Sequence, residues 1–176
     1  MKKFFKVAGF TIFTIVVLAI LFPSTFKAQT RSYTDENVDY VLVLPSAQWR
    51  AISVPGIDKD TTEFRYGQEG LVKFRIRRAL VDADVTVEDL IQRQQTLHRS
   101  SLLGYVKEKV APITGHLSGV RYAYEYVTHG KPTARAIYYL EANNRTVYRL
   151  EFAGSPDLLR DISEQADLIA QSFQLK

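Results

Sequence analysis

The chain contains no cysteine. That excludes disulfides, thiolate nucleophiles, cysteine-ligated zinc or iron–sulfur clusters, and the lipid anchor that requires a cysteine at its cleavage site. A hydrophobic core must therefore hold the fold unaided, and 46% apolar residues are enough to build one. Acids are missing from residues 1–30, which carry four lysines, Lys2, Lys3, Lys6 and Lys27. Removing those four from the 23 basic residues leaves 19 against 19 acids, so the formal charge of +4 belongs to the N-terminal segment and the rest is neutral. Such a balance gives no reason to expect nucleic acid as a partner. The phosphate-cradling Gly-x-x-x-x-Gly-Lys, the dinucleotide Gly-x-Gly-x-x-Gly and the hydrolase Gly-x-Ser-x-Gly are all absent, and no cofactor is expected.

What is present begins with an export pattern. Lys2, Lys3 and Lys6 precede Val7 to Phe22, sixteen residues without a charge, closed by Pro23. The run is long for a signal peptide and short for a relaxed transmembrane helix of about 20 residues. Cleavage after Ala28 would put Phe26 at a specificity position, and cleavage after Thr25 would put Pro23 there. Residues 1–28 are read as a signal peptide or an N-terminal membrane anchor, 29–37 as a polar tether, and 38–176 as a single domain. In either case the basic flank places that domain on the exported side, periplasmic or extracellular.

Within the domain, Tyr40–Leu44 is an apolar strand ended by Pro45, and Gln48–Val54 alternates around Trp49, so the two are expected to pair. Thr62–Tyr66 and Leu71–Arg78 form the next pair, with Val72, Phe74 and Ile76 alternating against Lys73, Arg75 and Arg77. Thr86 and Asp89 are spaced as a capping box, which predicts a helix over 87–103. Strands over 107–113, 120–127, 134–141 and 146–152 follow as a meander, turned at Gly115, at His129–Pro132 and at Asn143-Asn144. Ser155, Pro156 and Asp157 then start a C-terminal helix with Leu158, Leu159, Ile162, Ala166, Ile169, Ala170 and Phe173 on one face. The expected fold class is α+β: a largely antiparallel central sheet of about six to eight strands flanked by two main helices.

Candidate chemistry is sparse. His98, His116 and His129 lack metal-ligand spacing and are expected at the surface. Asp82, Asp84, Glu88 and Asp89 gather at a helix start, where acids are favoured by the dipole, and the spacing of a calcium loop is missing. No catalytic and no metal-binding residue is assigned. Lys73, Arg75 and Arg77 share a strand face, and Arg121 with Glu125 and Arg149 with Glu151 mark comparable faces on later strands. Lys73, Arg75, Arg77, Arg121 and Arg149 are thus the candidate docking face, weighed against cross-strand ion pairing on a solvated sheet. Tyr122, Tyr124 and Tyr126 alternate onto one face and are expected to pack under a helix with Leu150 and Phe152 beside them.

Element order and a few spaced residues carry a resemblance. The domain opens with an apolar strand and Pro45-Ser-Ala-Gln-Trp49, and closes with a strand, Gly154-Ser-Pro156, an amphipathic helix and Ser172-Phe173. Over most of residues 38–173 this resembles the PsbP-like family. The resemblance implies a noncatalytic α/β/α sandwich at a membrane surface; the best-known member is an extrinsic lumenal subunit of photosystem II that helps retain calcium and chloride. No ion-site residue carries over. The expected function is therefore noncatalytic binding of an unidentified envelope protein or stabilisation of an assembly, with the membrane contacted through the N-terminal segment. The alternatives are a small-ligand-binding envelope domain and a hydrolase with dispersed residues.

Overall fold

The computed structural model describes residues 30–52, 61–82, 84–108, 110–143 and 145–176. The segment 1–28, Ser53, Val54, the Pro55-Gly56 turn and Asn144 lie outside the described residues. Among the described residues no helix is long and apolar enough to cross a membrane.

The elements run β1 (Arg31–Tyr33), β2 (Tyr40–Leu44), β3 (Trp49–Ile52), β4 (Thr61–Tyr66), β5 (Val72–Leu80), α1 (Val87–Ser101), β6 (Val106–Lys107) and β7 (Ala111–Thr114). They continue with β8 (Ser118–Thr128), β9 (Lys131–Asn143), β10 (Thr146–Gly154), α2 (Pro156–Asp161), α3 (Ser163–Ser172) and β11 (Gln174–Leu175). The described strands form an eight-stranded sheet in the order β3-β4-β5-β10-β9-β8-β6, with β7 also on β8, and a separate sheet β1-β2-β11. Every pairing is antiparallel. The fold class read from the sequence is the one observed.

Four local expectations need correction. The strands β2 and β3 do not pair, because buried Pro45 and a turn closed by Trp49 N–H on the Ser46 carbonyl at 3.2 Å send them into different sheets. The 29–37 segment is not wholly a tether, since Arg31–Tyr33 pairs with β2. The 107–113 strand is split into β6 and β7, with Glu108 N–H donating to the Ala123 carbonyl at 3.0 Å between them. The C-terminal helix breaks at Ile162, and Ser155 caps it without a side-chain hydrogen bond; its carbonyl accepts from Leu159 N–H at 3.0 Å.

Each face of the large sheet builds its own core. On one, Trp49, Phe64, Phe74, Leu150 and Phe152 pack against Ile162, Ala166, Ile169 and Phe173 and against Tyr40, Leu42 and Leu44 of the small sheet. Trp49 is fully buried, with its indole N–H donating to Gln165 Oε1 at 3.1 Å. On the other face, Val87 and Ile91 of α1 cover Tyr122, Tyr124, Tyr126, Ile137, Tyr139 and Val147. The α1 start is a complete capping box, with Asp89 N–H on Thr86 Oγ1 at 3.1 Å and Thr86 N–H on Asp89 Oδ2 at 3.0 Å. The tyrosines do lie under a helix, but Leu150 and Phe152 belong to the opposite core.

The β8–β9 turn is the two-residue type that right-twisted strands prefer: His129 and Gly130 both have positive φ, 49° and 72°. It sets Arg121 opposite Tyr138 and Tyr122 opposite Ile137. A bulge at the β9–β10 end, where the register shifts between Thr146 and Val147, then fixes which β10 residues share those faces.

Candidate functional site

Only part of the tyrosine face lies under α1, and the neighbouring stretch over β4, β5, β10 and β9 carries charge. Strand alternation puts Glu63 and Arg65 of β4, Lys73, Arg75 and Arg77 of β5, Arg149 and Glu151 of β10 and Arg135 of β9 on the same side. In register, Glu63 faces Arg75, which faces Glu151; one step along, Arg65 faces Lys73, which faces Ala153, which faces Arg135.

Each carboxylate is clasped by two guanidinium groups. Glu63 accepts from Arg65 Nη2 at 2.6 Å and from Arg75 Nε at 2.8 Å. Glu151 accepts from Arg135 Nη1 at 2.5 Å and from Arg149 Nη2 at 3.0 Å. Burial pushes the Glu63 carboxyl up, but the Arg75 hydrogen bond and the Arg65, Arg75 and Lys73 charges together hold it below the usual carboxylate range. No carboxylate lies within ion-pair reach of Lys73 or Lys131 among the described residues. Burial, then the Arg75 and Arg65 charges, hold the Lys73 ammonium below its ordinary value.

Arg135 is the seam between the charged layer and the tyrosines. Its Nε donates to the Tyr126 hydroxyl at 3.2 Å, and its guanidinium carbon stands 5.7 Å from that ring's centroid. Farther under α1, the Tyr122 hydroxyl meets Tyr105 Oη at 2.8 Å and His98 Nδ1 at 3.2 Å, and the His98 ring packs 4.5 Å from that of Tyr124. Burial pushes the Tyr124 hydroxyl up to about 12. Burial, with the Arg135 and Arg149 charges behind it, holds the His98 imidazole below its ordinary value. His98 is therefore half-buried in an aromatic cluster and not a surface residue as expected, whereas His116 and His129 are exposed.

Of the candidate docking residues, the structure brings Lys73, Arg75, Arg77 and Arg149 onto one face. Arg121 is not among them. It stands opposite Tyr138 and Ala111 on the other side of the sheet, 3.6 Å from Glu108, where it borders a cavity of about 270 Å³ floored by Ala123, Ala134 and Ala136 beneath α2 and α3. Sequence reasoning missed Glu63, Arg65 and Arg135. Alternation of Arg135 with buried Ala134 and Ala136 was the available signal, but those alanines lack the bulk that makes a strand face obvious. Among the described residues no group of three or more His, Cys, Asp or Glu could hold a metal, and the Asp89 carboxylate is taken up by Thr86.

The charged face is concave. A groove of about 430 Å³ is bounded by Arg65, Lys73 and Arg75 on one side and by Tyr126, Lys131 and Arg135 on the other, with Ala153 and Gly154 also lining it.

No protein-family model matches the chain, and no curated protein matches it by sequence. Solved structures do. The cyanobacterial PsbP (CyanoP) of Synechocystis matches at a TM-score of 0.55 and 15% identity, over 87% of this chain and 96% of that one. The Ran-binding protein Mog1p of Saccharomyces cerevisiae matches at 0.63 and 6% identity, over 84% and 96%. LpqN of Mycobacterium tuberculosis, involved in cell envelope biogenesis, matches at 0.55 and 15%, over 84% and 92%. The chain accordingly has the PsbP-like fold, an antiparallel sheet between helical layers that it shares with CyanoP, Mog1p and LpqN.

Proposed function

We propose that this chain is a noncatalytic exported domain that docks on another envelope protein and stabilises an assembly at a membrane surface. The observation that carries the proposal is the charged sheet face: its guanidinium groups are held in place by shared carboxylates, yet Arg65, Arg75 and Arg135 keep about a third of their side-chain surface exposed, at 31%, 37% and 35%. Ordered arginines on a preformed sheet lose little entropy when a partner binds, which favours docking over chemistry. The export pattern of residues 2–22 supports the location. The fold likeness to CyanoP and to LpqN, the latter involved in cell envelope biogenesis, points the same way.

The second reading, a small-ligand site, draws on the cavity beneath α2 and α3. At about 270 Å³ it falls just under the ~300–1,000 Å³ of ordinary ligand pockets.

The test is fractionation of the tagged full chain, mass spectrometry of its mature N-terminus, and photo-crosslinking from position 77 on the charged face and from position 121 on the opposite one. Export together with one reproducible envelope protein captured from position 77 and not from 121 is expected. A cytoplasmic chain, or capture from neither position, would falsify the proposal.

A further inference from the structure

The domain is neutral as a whole, so a local excess of positive charge must be offset elsewhere on its surface. Around the groove that excess is large: among the described residues Arg65, Lys73, Arg75, Lys131 and Arg135 line it against a single lining acid, Glu151. Glu151 is already shared by Arg135 and Arg149, and Glu63 beneath the rim by Arg65 and Arg75. Lys73 and Lys131 are left without an ion-pair partner among the described residues.

The shape follows from the register. Ala153 on β10 lies between Lys73 on β5 and Arg135 on β9. A small residue between two long cations makes a trench whose walls stand two strand spacings apart, about 10 Å between backbones. An extended chain fits such a width, and an acidic side chain reaching the Ala153 floor comes within range of both walls. A flat layer of lipid headgroups suits the site less well, because the lining cations Lys73, Arg65, Arg75 and Arg135 are half-buried while Lys131 is exposed on the rim.

Resting on the docking reading and giving its partner a chemistry, we infer that the trench along β10 between Lys73 and Arg135 receives an acidic, extended segment of a partner protein. Its carboxylates neutralise Lys73 and Lys131, and the guanidinium groups, already fixed by Glu63 and Glu151, set the register through directional hydrogen bonds. Leu71 and Tyr126 at the groove edges supply apolar contact between charges.

The experiment measures fluorescence anisotropy of a labelled hexaglutamate peptide against the full chain held in phosphatidylcholine nanodiscs. Salt-sensitive binding is expected, weakened about tenfold or more by Lys73→Gln with Lys131→Gln, which removes one recessed and one exposed cation without breaking an ion pair among the described residues. Lys107→Gln, exposed on β6, should leave it unchanged. No binding at low salt, or equal binding by the double variant, overturns the inference. So does adhesion to phosphatidylglycerol vesicles with none to the peptide, which would assign the face to a membrane. Each of these failures leaves the docking reading intact if capture from position 77 occurs, and loss of that capture defeats the docking reading separately.

Discussion

Arg135 and Glu151 are joined diagonally across β9 and β10: Glu151 stands opposite Ile137 in the ladder, yet Arg135 Nη1 reaches its Oε1 at 2.5 Å. The same carboxylate holds Arg149 at 3.0 Å. One acid therefore balances two half-buried guanidinium groups, and its removal affects both.

Glu151→Gln should cost about 1–2 kcal/mol, because two partly buried cations lose their counter-charge while the amide oxygen keeps one acceptor. Urea denaturation would show a lower midpoint with an unchanged slope. The acidic peptide should also bind this variant more tightly, since the groove gains one unit of positive charge. A stable variant with unaltered peptide affinity would contradict the assignment of Glu151 as the groove's counter-ion.

Two adjacent tyrosines provide a contrast. Tyr138 donates to Asp167 Oδ1 at 2.6 Å and ties β9 to α3, whereas the buried Tyr139 hydroxyl has no hydrogen-bond partner among the described residues. Tyr138→Phe should lose about 1 kcal/mol, while Tyr139→Phe should be neutral or stabilising. Thermal melts of the two variants side by side decide it: equal losses would mean that the Tyr139 hydroxyl is satisfied in solution.

His98 predicts a pH dependence. Its folded-state value is depressed by burial and by Arg135 and Arg149, so the unfolded chain takes up a proton that the folded chain resists. Stability is fully present above the unfolded value of about 6.5 and falls as the pH drops below it. Among the described charged neighbours only Glu151 opposes this. His98→Gln should flatten the melting temperature between pH 7 and pH 5, about the range in which an unperturbed histidine titrates. Glu63, held low by its arginines, adds a second loss only in more acidic solution, below the ordinary carboxylate range.

How much of this was legible depended on whether a residue's neighbours announce its face. On β5 they do, and Val72, Phe74 and Ile76 made the charged face of Lys73, Arg75 and Arg77 readable from sequence alone. The β8–β9 register was nearly readable too, because His129-Gly130 is a two-residue turn. What could not be read was the bulge before Val147. Had the Thr146 to Asn143 pairing continued without a shift, Tyr138 would stand opposite Glu151, and Arg121, opposite Tyr138, would have joined the charged face as expected. One extra residue in β9 moved it to the other side. The small sheet was missed for a simpler reason: β1 and β11 are three and two residues long, too short for any periodicity to register.

That small sheet has a mechanical consequence. Both β1 and β11 run antiparallel to β2, with Arg31 at the Leu44 end and Leu175 at the Tyr40 end, and Lys176 Nζ is bound at 2.7 Å by the Val38 carbonyl. A pull on the chain ahead of residue 31, directed along β1, loads the β1–β2 hydrogen bonds together in shear instead of opening them one after another. The Arg31 guanidinium, hydrogen-bonded to the Trp49 carbonyl, carries the same tension into the large sheet. A load applied along β1 would thus be shared between the β1–β2 pairing and, through Arg31, the large sheet.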